Sequence, residues 1–176
     1  MAQPVLAPTR ATRRPSSTRP DVPRVEVARP APRGVEFLLD AAALDPTTIA
    51  LAAARADVVR LVHSAALPTP AAVRALVSVL EDEIGAVGRD RAEVRVVLEV
   101  ETVVAADEAD AARRRTAVAY AEAFSGVTWS PSATWLVAPR DRVLRDAADL
   151  ADRTGVDTVA LALVGSSARH AGTLAG

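Results

Sequence analysis

Two prolines, each directly after a residue that caps helices, set the frame for this chain. Asp45-Pro46 and Thr69-Pro70 place a side-chain acceptor ahead of a ring whose fixed φ suits the first helical turn, where a missing amide costs nothing. Each pair therefore starts a helix. After Thr69-Pro70, Val73, Leu76, Val77, Leu80, Ile84 and Val87 recur at helical spacing until Gly88 offers a left-handed stop. The pattern then switches to strict alternation. Val94, Val96, Leu98 and Val100 interleave with Arg95, Val97, Glu99 and Glu101, which predicts a strand lasting to about Ala105.

The same switch repeats along the chain. Val35 to Ala42 is a short apolar run ahead of the helix that starts at Pro46 and should end near Arg55. Asp57 to His63, reading DVVRLVH, is short and β-branched, a second strand. Asp107 opens an alanine-rich helix to about Phe124, Ser125 to Ala138 reads as irregular, and Pro139 to Arg153 is helical up to Gly155. Val156 to Val164 is the fourth strand. Strands alternating with helices predict an α/β fold with a parallel sheet.

Length limits how far that pattern can go. The 176 residues suffice for one domain but not for a complete eight-stranded α/β barrel of about 250 residues. The expected fold is a partial TIM-like barrel of about four parallel βα units over residues 34–165. Half the residues are apolar while aromatics make up 3%, so the core must be built from close packing of small side chains. Without cysteine there are no disulfides, thiol nucleophiles or thiolate metal sites. No apolar run approaches the roughly 18 to 20 residues of a membrane span, and no hydrophobic signal core follows the basic N-terminus. A cytoplasmic protein is expected.

The ends differ from the middle. Residues 1–33 hold seven of the twelve prolines and seven arginines against only Asp21 and Glu26, with no apolar period. Ordering such a segment costs more conformational entropy than its burial returns, so a disordered or extended arm is expected. Its charge would attract polyanions, but no aromatic residue interleaves the arginines to stack on bases, and nucleic acid is not the expected partner. Residues 166–176 read as a flexible tail.

Several fragments share an order and spacing with one enzyme family. They are Ala53-Ala54-Arg55-Ala56-Asp57-Val58-Val59, then Ala86-Val87-Gly88-Arg89-Asp90, then Val103-Val104-Ala105-Ala106-Asp107-Glu108-Ala109-Asp110-Ala111, and finally Thr154-Gly155-Val156-Asp157. With these the chain resembles the luciferase-like monooxygenases, above all the branch with nitrilotriacetate and alkanesulfonate monooxygenases, over about Gly34 to Val164. The match falls on the second half of that family's barrel. The resemblance implies a barrel using reduced FMN, or a related deazaflavin, for oxygen or hydride chemistry on a small organic substrate, with the flavin reduced by a separate reductase. One departure is plain. Where the family offers glycine and serine to the flavin phosphate, this chain has Ala43-Leu44-Asp45-Pro46, a carboxylate that repels phosphate and a proline without an amide.

Strand alternation supplies the candidate chemistry. If Val94, Val96, Leu98 and Val100 face the helices, the opposite face carries Asp40, Arg60, Glu99 and Glu101 towards the carboxyl edge, where α/β enzymes hold their sites. Glu101 or Asp40 is then a candidate general base, Arg60 a candidate anion-orienting group and His63 a candidate proton shuttle. The alternative is that these charges line a wet surface or pair across an interface. Gly165, Ser166, Ser167 and Arg169, after the last strand, are the remaining candidates for an FMN phosphate. Nucleotide fingerprints, phosphate loops, zinc-ligand spacings and nucleophile elbows are absent from the sequence.

Four strands leave two open edges and a bare inner face, which predicts a homo-oligomer or a complementary barrel subunit. Two functions follow: a truncated or split luciferase-like FMN-dependent monooxygenase, or a non-catalytic half-barrel serving as a structural or regulatory subunit.

Overall fold

The computed structural model describes residues 24–29, 34–125 and 131–174. Its strands are β1 (Val25–Val27), β2 (Glu36–Leu39), β3 (Val58–Val62), β4 (Arg95–Ala105), β5 (Leu136–Pro139) and β6 (Thr158–Leu163), all paired in parallel. The helices are α1 (Pro46–Arg55), α2 (Pro70–Ala86), α3 (Glu108–Ser125), α4 (Arg140–Thr154) and the short α5 (Ala171–Leu174). The sheet runs β1-β6-β4-β3-β2, and β5 lies beside the far end of β4. Thr102 pairs with Leu163 of β6 and with Leu136 of β5, so β5 flanks β4 where β3 has ended. The fold is α/β, a partial barrel wall.

The two proline-started helices form as their caps dictate. Asp45 accepts from the Thr47 and Thr48 amides and Thr69 from the Ala72 amide. Gly155, at φ 75°, ends α4 in the left-handed region. On one face of the sheet Leu39, Val59, Leu61, Val96, Leu98, Val100, Val159 and Leu161 pack under Ile49, Val73, Val77, Leu80, Ile84, Val143 and Leu150 of α1, α2 and α4. That layer is the core. Its aliphatic side chains are nearly all fully buried, and such burial contributes roughly 1.5–3 kcal/mol for each large side chain.

The family-like fragments turn out to be joints of this scaffold. Asp57, just before β3, accepts from the Val35 amide and sits against Gly34, where a Cβ would stand 2.7 Å from its carboxylate. Asp157, just before β6, accepts from the Val96 amide and from Arg91. Arg89 donates to the Ala53 carbonyl near the end of α1. These residues set where strands begin.

Three expectations are corrected. The arm over 1–33 was expected to be disordered or extended; near its end Val25–Val27 is instead a strand paired with Val159–Leu161 of β6, because Val25 and Val27 join the core and Glu26 meets Arg95. The stretch Ser125–Ala138 contains β5, whose Val137 packs with Val103, Ala105 and Ala111. The tail 166–176 is helical through Leu174, which is buried. The rest of the arm lies outside the described residues. No helix among the described residues is long and apolar enough to cross a membrane.

Candidate functional site

The face of the sheet opposite the core carries charge in a line. Glu26 of β1, Glu36 of β2, Arg60 of β3, and Arg95, Glu99 and Glu101 of β4 alternate with the core residues on either side of them. Most of these charges answer one another. Arg60, almost fully buried, donates from Nε to Glu36 at 2.6 Å, from Nη1 to Glu99 at 3.2 Å and from Nη2 to the Arg29 carbonyl at 2.8 Å. Arg95 donates from Nη2 to Glu26 at 2.7 Å and to Thr158 at 3.2 Å. Ala28 packs on Val58, Val97 and Ala160, so the chain beyond β1 covers part of this face.

Near the carboxyl ends of β3 and β6 and over the middle of β4 lies a cavity of about 370 Å³, lined by Ala28, Val62, His63, Ser64, Glu99, Glu101 and residues 162–164. His63 follows β3, its amide bonded to the Glu99 carbonyl. Its Nδ1 lies 2.9 Å from the Thr134 carbonyl. A carbonyl only accepts, so Nδ1 carries the proton and Nε2 of the neutral ring is left with a bare lone pair. Burial pushes the His63 pKa down; the Thr134 carbonyl pulls it up, and the charge of Arg153 adds to the lowering. Both His63 Nε2 and Ser64 Oγ are buried with no hydrogen-bond partner, in side chains more than nine-tenths buried. Buried polar atoms without a partner are few in folded proteins.

The sequence candidates therefore separate. Glu101 and His63 line one cavity, with Glu99 beside them. Arg60 lines the neighbouring groove with Glu36 and Glu99, and its guanidinium is engaged on three sides. Asp40 accepts from the amides of Ala42 and Ala43 and shapes the turn after β2. Ser167 is buried, its Oγ accepting from the Val104 amide, while Gly165, Ser166 and Arg169 are exposed. Ser64 escaped sequence reasoning; its position directly after a histidine at a strand end was the available signal. Among the described residues no cluster of three metal-ligating side chains exists.

These residues fit a flavin-type group unevenly. At the turn after β2, Asp40 and Asp45 take four amides that a phosphate would need, and both repel an anion. At the turn after β6, exposed Gly165 and Ser166 adjoin cavity-lining Val164, with Arg169 nearby in sequence.

No family model and no curated protein matches the sequence. Solved structures match the fold. An F420-dependent secondary alcohol dehydrogenase in complex with an F420-acetone adduct superposes with a TM-score of 0.55 at 10% identity, over 80% of this chain and 46% of that one. The EDTA monooxygenase from Chelativorans sp. BNC1 gives 0.55 at 12% identity, over 74% and 41%. The chain is similar to both in fold. Flavoprotein 390 gives 0.56 at 17% identity, over 81% of this chain and 63% of that one. This chain thus spans less than two thirds of each of these structures, and the likeness is one of fold.

Proposed function

We propose that this chain is a partial barrel of luciferase-like oxidoreductase kind, which uses a flavin-type cofactor, FMN or the deazaflavin F420, on a small organic substrate. The observation that carries the reading is the pair of buried, unpartnered polar atoms, His63 Nε2 and Ser64 Oγ, at the carboxyl edge of this fold. That edge is where α/β barrels hold their sites. When bound, the cofactor would supply the reducing equivalents. The chain's own part would be to hold the phosphate at Gly165, Ser166 and Arg169, and to orient substrate against His63 and Glu101. Asp40 and Arg60, committed to turn and ion pairs, would keep the wall in shape.

A flavin oxygenation site must be kept from water, and a wall of this extent shelters one side only. A second copy or a complementary subunit would cover the other, and a separate reductase would serve an FMN enzyme. Titration of FMN and of F420 into the purified chain, read by cofactor fluorescence, tests the proposal. Saturable quenching, weakened by Arg169→Ala, is expected; unchanged fluorescence with both cofactors, alone and with a co-expressed partner, would sink it.

A second reading is favoured by the four amides held by Asp40 and Asp45 and by the ion pairs that fill the inner face. In it the chain is a non-catalytic half-barrel, a structural or regulatory subunit. A native mass above one chain, combined with no flavin binding, would support that role.

A further inference from the structure

The helix α3 carries its apolar face outward. Ala111 is buried against Val103, Ala105 and Val137, which alternate with the core residues Val104 and Ala138, so α3 lies on the side of the sheet opposite the core. Arg114, Val118 and Glu122 follow Ala111 at helical spacing and are half-buried. The other face has two rows, both exposed. One is small, with Ala112, Thr116, Ala119 and Ala123; beside it run Arg113, Ala117, Tyr120 and Phe124. From Thr116 to Phe124 the only charged residue is Glu122, which is half-buried and accepts from the Ser132 amide. The exposed positions of α4, by contrast, carry Arg140, Asp141, Arg145, Asp149 and Asp152. Tyr120 and Phe124 are 64% and 73% exposed with ring centroids 4.3 Å apart, in a chain only 3% aromatic. Such a pair steadies its own helix only slightly, and aromatic residues concentrate at the centres of interfaces.

We propose that α3 docks a second copy of this chain, the two helices packing antiparallel about a two-fold axis. A two-fold contact needs a surface complementary to itself, and a ridge of large side chains beside a groove of small ones is one. The aromatic row of each copy then lies in the small-residue row of the other. Charge sets the direction. Arg113, its side chain 70% exposed, stands near the start of α3, so parallel helices would bring Arg113 against its own copy with their dipoles aligned. Antiparallel helices place it beside the partially negative carbonyl end. The four rings, each with about 130 Å² to cover, supply roughly half of the 1,000 Å² or so that a specific interface needs. The small row and the Arg113 stem supply the rest. This names the surface for the second copy that the oxidoreductase reading calls for, and it rests on that reading only for its catalytic meaning.

The test is the native mass of the full chain, by light scattering and native mass spectrometry, up to about 100 μM, above which a contact counts as weak. A mass of two chains is expected. Phe124→Lys and Ala119→Arg should each reduce it to one, while Val79→Lys, at an exposed site on α2, should leave two. Arg113→Glu should weaken the pair by about tenfold at low salt. Far-UV circular dichroism confirms that each variant is folded. A one-chain mass throughout the range would overturn the proposal, and so would a two-chain mass unchanged in both Phe124→Lys and Ala119→Arg, which would move the contact to another surface. An unchanged affinity in Arg113→Glu would overturn the antiparallel order. Cofactor titration separates the two ideas. A dimer that binds neither FMN nor F420 removes the oxidoreductase reading and keeps the interface, while a monomer that binds one of them does the reverse.

Discussion

Arg60, on β3, and His63, just after it, sit three residues apart, and the difference between them is one of partners. Each nitrogen of the Arg60 guanidinium donates, to Glu36, Glu99 and the Arg29 carbonyl, whereas His63 keeps one nitrogen unanswered. Arg60→Ala removes the cation shared by two part-buried carboxylates, Glu36 and Glu99. We expect a loss of about 2–3 kcal/mol in urea unfolding, below the full cost of a buried broken pair because Glu36 and Glu99 retain some water. His63 has a pH signature of its own. Its folded pKa is lowered, so the unfolded chain binds the proton more tightly, and the contribution to stability is complete above about pH 6.5 and declines as pH falls towards the folded value. Urea midpoints should therefore drop from about pH 7 to pH 5, and His63→Gln should flatten that slope. A more acid window belongs to Glu108, held low by its hydrogen bond to Arg115, and Asp110, held low by Arg114.

Elements here are defined by their ends. Thr69→Ala removes the side chain that accepts the Ala72 amide, and about 1 kcal/mol of stability should go with it. Gly155→Ala forces a Cβ into a left-handed residue, where it would stand at ordinary contact distance, 3.5 Å, from Arg74 Nη1, so the cost of about 1 kcal/mol would be backbone strain. Thermal or urea unfolding of each variant checks both values. Such signals were legible in the sequence because a cap, a proline or a glycine acts locally. β4 was legible too, since eleven residues give alternation room to declare itself. β1 and β5 were not. Each is three or four residues long, one among prolines and arginines and the other in a tryptophan-bearing stretch, and each is made a strand by the neighbour it lies against. The site followed the same division: alternation placed Glu99 and Glu101 on one face, but no local rule told that Arg60 would find Glu36 and the Arg29 carbonyl, or that His63 would meet Thr134, which is 71 residues away.

At the scale of the molecule, the sheet is finished by strands from opposite ends of the described chain. A chain begun at Gly34 would lose β1 from the edge of β6, uncover Val58, Val97 and Ala160, and leave Arg95 without Glu26. We expect a lower urea midpoint and a native mass shifted towards assemblies, since a parallel edge would stand open. The location of β1 also imposes an order on folding. Arg24 reaches Val156 across 132 residues, so on the ribosome the first strand is made long before the edge it needs. It can be placed only once β6 exists, a contact of high sequence separation, which slows folding. The strand made first in the described chain thus cannot seed its sheet alone, because its sole partner, β6, is the last strand to be made.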